Sequence, residues 1–577
     1  MTLIRLTLTH RRVIIFGLFL LALLVRFLTW QDNRHELWKV QTHVTIDYKE
    51  PARALAAGDF NSFVDDINHM GHTPGYSIVL AAIFKMFGES DIAVQAFQVL
   101  MDTGAVVLLF LIAAEFLPVA AAAICGALAA ISPQFASFSL PLLPDSLVVP
   151  PILLAIWLLI RTRRESRIAN FAIAGALIGL SCWLRSNAFL LAPFIALMTP
   201  LFVERGKRLR AASALVAGAM LTIAPVTIKN AIVYHRFVPL SLGAGQTLLE
   251  GIADYDQANR FNIPNTDLAI MRQEAEWYGN PEYARVLFGR DGIERDRMRV
   301  RRGLGVIRSH PFWFAGVVVR RGLASTRLDP VPVLNRESPV SHPIPSLSGN
   351  GQLLPLAPHH ENYGTLYVSE AMGVKTGMDC VAYVPVKLEQ GRLQIKIMDE
   401  AQRVVLALMN LDLVEGVSAP EQPVHKLAIP FVSANHSQVR LVVSNFAARD
   451  SSVLIGQPHV GELGPSSYQW LRYVRQPLRF VQRFFKTAWV LPLVIVGLFA
   501  FIRRREWSNL ALLLAVPAYY LTVQSTLHTE RRYVYVIHFF FLVLASAALW
   551  RLGTFVYGRA SGFFATHKPE TPKGRLV

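Results

Sequence analysis

Apolar residues fall in long blocks near both ends of the chain, and the middle is polar. Runs near 13–30, 94–116, 118–132, 143–161, 169–183, 186–203 and 211–229, and again near 486–502, 508–525 and 533–550, predict about ten membrane-spanning helices. A helix crossing upright needs roughly 20 apolar residues, so several of these runs are short for the task. Basic residues Arg5, Arg11 and Arg12 precede the first run, which ends in Arg26, Trp30 and charged residues rather than a small-residue cleavage site. It is therefore expected to be an uncleaved first span. The basic loops 161–167 (RTRRESR), 204–210 (ERGKRLR) and 503–505 (RRR), the N-terminus and the tail after Arg551 are expected on the cytoplasmic side. If segment 75–88 (GYSIVLAAIFKMFG) crossed, loop 161–167 would face the wrong way. It is expected as a juxtamembrane or re-entrant helix.

Two regions then lie outside, 31–93 and 230–485. In the second, 295–325 is a basic amphipathic stretch suited to a membrane surface. From about 335 the period changes: VAYVPVKL, LQIKIMD, RVVLALM, KLAIPFV, VRLVVSN and SVLIG alternate and are split by turn residues. That pattern predicts an antiparallel β-sandwich. Tyr468, Trp470 and Tyr473, with Arg472 and Arg475, suit an interfacial anchor. The expected organisation is an N-terminal membrane region (1–230) holding the first outer loop, an interfacial helical segment (231–334), an extracytoplasmic sandwich (335–465), a C-terminal membrane region (466–552) and a cytoplasmic tail (553–577). The fold class is an α-helical polytopic membrane protein with an inserted β-sandwich, and a bacterial inner membrane is the expected location.

Composition agrees. Of 577 residues 53% are hydrophobic and 17% charged, and the mean hydropathy is +0.36, which excludes a disordered chain. The net charge of +17 sits beside apolar segments, where topology accounts for it; the lipid bilayer is an expected partner and nucleic acid is not. Cys125, Cys182 and Cys380 are too scattered for a zinc motif or a disulfide framework. No P-loop, HExxH or dinucleotide fingerprint occurs.

The first outer loop is rich in chemistry: Asp47, Glu50, Asp59, Asp65, Asp66, His69 and His72. A carboxylate there suits a general base for a hydroxyl nucleophile. Asp65, Asp66, His69 and His72 are ligand types that suit Mn²⁺ or Zn²⁺, but their spacing fits no fixed motif. No cofactor is expected, and a divalent metal is not indicated. Arg185 interrupts an apolar hairpin, where an ionisable residue is expensive unless it has a function. Asp102 and Glu115 suit caps or snorkelling side chains, and Asp145 suits a helix start.

An ordered set of motifs then resembles a known family. It runs Tyr48…Ala52…Leu55…Gly58, HTPGY (72–76), FGES (87–90), SPQFASFSLPLLPDSL (132–147), GALIGLSCWLRSNAFLLAP (175–193), KNAIVYHRFVPLSLGAGQTLLEG (229–251), SHP (309–311) and TERRYVYVIHFFF (529–541). It is similar to the GT-C glycosyltransferases, most closely the protein O-mannosyltransferase and aminoarabinose-transferase type. The likeness covers about 10–325 and 485–550 and leaves out the sandwich. It implies transfer of a sugar, with inversion, from a polyprenyl-phosphate-linked donor to a hydroxyl acceptor (lipid, glycan or protein) on the outer face. It also implies an acidic base in the first loop, basic residues for the phosphate (Arg185, Arg236, Arg531, Arg532) and substrate contacts from Tyr48, Glu50, His72, Tyr76 and Asp145. The family's acidic position falls at Val44; Asp47 lies three residues on, about one helical turn away. Asp65 and Asp66 are the other candidate bases. The displaced acid supports a rival, a non-catalytic scaffold or glycan-binding protein with the same shell. A transporter is disfavoured for want of matched broken spans.

Overall fold

The computed structural model describes residues 8–33, 40–65, 70–162, 167–288, 291–328, 341–343, 353–357, 359, 364–413, 424–445, 451–466 and 470–566. Loop positions 163–166, candidate base Asp66, His69 and the tail from 567 lie outside them. The described residues form two compact units, one from 1–30, 36–332 and 481–577, the other from 31–35 and 333–480.

The first unit is helical. In chain order it begins with α1 (Leu8–Asn33), α2 (His43–Ala57), α3 (Phe60–Asp65), α4 (Gly75–Phe87), α5 (Asp91–Phe116), α6 (Val119–Ile131), α7 (Pro133–Phe138), α8 (Asp145–Thr162), α9 (Ile168–Leu184), α10 (Leu191–Met198) and α11 (Arg208–Tyr234). Then come α12 (Ala244–Ala253), α13 (Asp267–Tyr278), α14 (Gly292–Ser309) and α15 (Pro311–Ser325). After α16 (Trp470–Gln482), most of which belongs to the second unit, come α17 (Thr487–Arg503), α18 (Trp507–Thr522), α19 (Arg531–Val534) and α20 (Val536–Thr566).

Among the described residues five stretches are long and apolar enough to cross a membrane, 10–33, 91–116, 145–162, 205–234 and 536–556, or six if α16 and α17 count as one span. The helices at 75–87, 119–131, 168–184 and 186–201 are apolar but shorter. Breaks explain the difference from the sequence runs: the run 186–203 divides into a 3-10 turn at 186–188, then α10, then a second turn at 199–201 that contains Pro200. One large apolar core joins α1, α2, α4–α11, α17, α18 and α20. Within it Asp102 neither caps nor snorkels. It pairs with Arg26 at 2.6 Å, both fully buried, and Arg26 also donates to the Ala130 carbonyl at 3.2 Å. Two opposite charges at one depth neutralise each other, which spares each the cost of lying alone in an apolar interior.

The second unit is antiparallel β. One sheet orders β1 (Ser341–Pro343), β11 (His459–Pro465), β5 (Met378–Gln390), β10 (Ser452–Ile455) and β2 (Leu354–Pro355), with β8 (His425–Val432) also paired to β5. The other orders β3 (Thr365–Val368), β9 (Gln438–Asn445), β6 (Leu393–Asp399) and β7 (Val405–Leu411), with β4 (Met372–Gly373) on β9. Alternate residues of β5 (Cys380, Ala382, Val384, Val386, Leu388) share a core with Leu393, Ile395 and Ile397 of β6 and Val439, Leu441 and Val443 of β9. A period of two buries one face of each sheet, so the two sheets stack as a sandwich.

Candidate functional site

Helix α2 carries the first-loop residues, and its frame is polar. Thr45 Oγ1 accepts from the Thr42 N–H at 3.0 Å and donates to the Leu142 carbonyl at 3.3 Å, which ties the start of α2 to the loop before α8. The helix closes at Gly58, whose φ of +84° is the left-handed stop glycine favours. Lys49 bonds Asp91 at 2.6 Å and Arg53 grips Glu89 through two bonds of 2.8 and 2.7 Å, so α2 is clamped to the α4–α5 junction. Helix α4 approaches α9 because residue 75 is glycine: a Cβ there would lie 2.5 Å from the Trp183 carbonyl oxygen. The HTPGY motif thus meets a packing need.

Tyr48 is buried in this frame. Its ring meets His72 at 4.7 Å and Tyr76 edge-on at 5.1 Å. Tyr76 donates to Gln98 Oε1 at 2.7 Å, and the Gln98 amide donates to the Pro141 and Ser139 carbonyls at 2.7 and 3.2 Å. Burial pushes the Tyr48 phenol well above its usual range against the opposing charge of Arg185, so it stays neutral.

Beside it lies a charged corner. Arg185 is hydrogen-bonded to Asp145, their side chains 17% and 4% exposed. Its guanidinium sits 3.9 Å from the centre of the Tyr533 ring. Arg532 holds Glu530 through Nε at 2.6 Å and a second nitrogen at 2.9 Å, and Tyr533 donates to Glu530 at 3.0 Å. Burial would raise the Glu530 carboxyl; the Arg532 charge and the bonds from Arg532 and Tyr533 outweigh it and hold it below its usual range. Both guanidiniums act on Asp145 and on Tyr48. Like charges this close need counter-ions, and a phosphate oxygen is a natural further one.

Asp47 precedes Tyr48 by one residue, so it points about 100° round the helix from it. It is half exposed, with Oδ2 3.3 Å from His72 Nε2. It lines a cavity of about 220 Å³ together with Phe63, Met70, Trp183, Val226 and Lys229. Lys229 lies 4.8 Å from the Tyr234 ring centre.

The remaining sequence candidates lie elsewhere. Arg236 is exposed and 3.5 Å from Glu294. Arg531 is exposed, whereas Arg532 beside it reaches the corner. Glu50 is exposed, its charge acting on Arg53. Asp65 is the last residue of α3. Among the described residues no three His, Cys, Asp or Glu side chains gather as a metal cluster. Sequence reasoning missed Glu530, Tyr533, Gln98 and Lys229; only Glu530 carried a signal, an acid directly before the basic pair. It also missed His528, whose Nδ1 lies 2.8 Å from Asp254 Oδ2, with Arg321 3.6 Å from the same carboxylate.

Residues 71–229 match the family model described as dolichyl-phosphate-mannose-protein mannosyltransferase. No curated protein matches. Two similar solved structures are the oligosaccharyltransferase of Archaeoglobus fulgidus in the apo form (12% identity, TM-score 0.44, 98% of this chain and 53% of that one) and archaeal oligosaccharyltransferase AglB from Archaeoglobus fulgidus in complex with an inhibitory peptide and a dolichol-phosphate (13%, 0.44, 98% and 52%). The chain spans about half the length of these structures. The matched segment carries His72, Tyr76, Asp145 and Arg185, and over it the chain is similar to that mannosyltransferase family.

Proposed function

We propose that this protein transfers a sugar from a polyprenyl-phosphate donor to a hydroxyl acceptor on the extracytoplasmic face of a bacterial inner membrane. Asp47 takes the proton of the acceptor hydroxyl, and the freed oxygen attacks the anomeric carbon. The bond from that carbon to the phosphate oxygen breaks, its electron pair leaves with the phosphate, and a single displacement inverts the configuration. Arg185 and Arg532 receive the charge that develops on the leaving group. Tyr48, Tyr76 and Gln98 form the rigid floor, and Asp145 and Glu530 keep the two cations together when no donor is bound.

The observation that carries this reading is the convergence of Arg185 and Arg532 on a buried tyrosine-lined corner one residue from an accessible acid. One observation favours a non-catalytic, glycan-binding shell: Val44 stands where the family has its acid. The test is release of polyprenyl phosphate, followed by mass spectrometry, from protein in nanodiscs given a panel of polyprenyl-phosphate sugars and cell-envelope extract. Release that Asp47→Asn abolishes supports transfer. Donor binding with no turnover supports the shell.

A further inference from the structure

We infer that the cavity beside Asp47 receives the acceptor, and that the acceptor is an amphiphile drawn from the bilayer, an apolar body bearing a hydroxyl. This rests on the transfer reading and narrows it.

Position assigns the cavity to the acceptor. Tyr48 faces the phosphate-binding corner and Asp47 faces the cavity, so the two lie against different sides of α2. A displacement at the anomeric carbon needs nucleophile and leaving group on opposite sides of that carbon. With the phosphate on the Tyr48 side, the incoming hydroxyl belongs on the Asp47 side, where His72 also stands.

Lining assigns the chemistry. Phe63, Met70, Ile78, Trp183, Val226 and Leu240 supply apolar wall. The polar groups are fewer, and some are engaged: the Asn230 amide already donates to the Val238 and Leu240 carbonyls at 3.0 and 3.1 Å. A free sugar would bring a hydroxyl on almost every carbon into that wall, and each one left without a partner opposes binding. An alkyl body has no such groups.

Access assigns the source. The cavity's α11 wall is Pro225, Val226 and Lys229. On the adjoining flank of that helix Leu221 is 74%, Ile228 56% and Ile232 66% exposed. These follow one helical stripe that the bilayer covers, so a lipid alcohol reaches the cavity sideways without entering water.

Trp183 reports occupancy. It is one of ten tryptophans, so the difference between wild type and Trp183→Phe isolates its fluorescence. The probe is a long-chain alcohol brominated along its chain, titrated into protein in nanodiscs of unbrominated lipid. In parallel, sugar transfer to the unbrominated alcohol, to a free sugar and to a serine-containing peptide is followed by mass spectrometry. The expected result is saturable quenching of the Trp183 component, weakened about tenfold or more by Val226→Phe, not relieved by polyprenyl phosphate, with the alcohol the preferred acceptor. Release of polyprenyl phosphate without Trp183-specific quenching overturns this inference alone. Relief of quenching by polyprenyl phosphate also overturns it, making the cavity the donor's tail site, as does preference for the sugar or peptide. Quenching with no release from any donor overturns the transfer reading, and the acceptor role with it.

Discussion

Replacing Arg185 with methionine should destabilise the protein far more than replacing Arg185 and Asp145 together. Asp145 is 4% exposed, and one carboxylate oxygen bonds Arg185 while the other has no hydrogen-bond partner. Arg185→Met therefore strands a buried carboxylate. Breaking one side of a buried pair costs ~3–5 kcal/mol, whereas replacing both partners with neutral groups of similar volume is often nearly neutral. The contact with Tyr533 at 3.9 Å is lost in both variants and adds ~0.5–2 kcal/mol. The single variant should thus lose about 3.5–7 kcal/mol and the Arg185→Met/Asp145→Asn double variant about 0.5–2 kcal/mol. Denaturant-driven unfolding in mixed micelles, with tryptophan fluorescence as the readout, measures both. The double variant should still release polyprenyl phosphate at least ~100-fold more slowly than wild type, because restored stability does not restore a cation at the leaving group. A double variant no more stable than the single would refute the claim that the pair, rather than arginine packing, holds this corner. A double variant with wild-type turnover would refute the phosphate role.

Three further outcomes are expected. Asp47→Asn should lower turnover by ~10²–10⁴-fold with donor affinity unchanged, as loss of a general base does, measured by initial rates and by equilibrium binding of the donor. Gly175→Ala should cost ~1–3 kcal/mol in the same unfolding assay, because its Cβ would lie 1.9 Å from the Leu215 carbonyl oxygen, 1.5 Å inside the 3.4 Å at which ordinary contact begins; an unchanged midpoint would mean that α9 and α11 do not pack this closely. The Asp254 hydrogen bond raises the His528 imidazole above its ordinary 6.5, against the pull of burial. A raised basic group contributes in full below pH 6.5 and loses that contribution as pH climbs through the folded value, so thermal midpoints of wild type should fall above pH 6.5 relative to His528→Gln, and parallel pH profiles would discount the pair.

Element type was legible in the sequence where one local period decides it. The apolar runs became the helices of the first unit, and the alternation in VAYVPVKL became β5 with every second residue buried, because a pleated strand offers one face to a core whatever lies elsewhere. Helix length was less legible. Runs such as 186–203 read as single spans, yet hydropathy does not register the turns at 186–188 and 199–201 that divide them.

The site divides in the same way. Arg185 could be singled out from sequence because a charge in an apolar stretch carries its cost locally, and Asp47 because an acid in a first loop stands out. Their surroundings could not. Asp145 lies 40 positions before Arg185, Tyr533 and Glu530 follow more than 340 later, and Arg26 meets Asp102 across 76 positions. Which acid neutralises which base is set by helices packing at one depth, and spacing along the chain does not encode that. Arg236 and Arg532 illustrate the limit, since each is a basic residue beside an aromatic, yet one pairs with Glu294 on the surface and the other completes the buried corner. Residue type and period, being local, determined what each segment is; tertiary packing alone decided which charges share a site and which face of α2 looks onto the cavity.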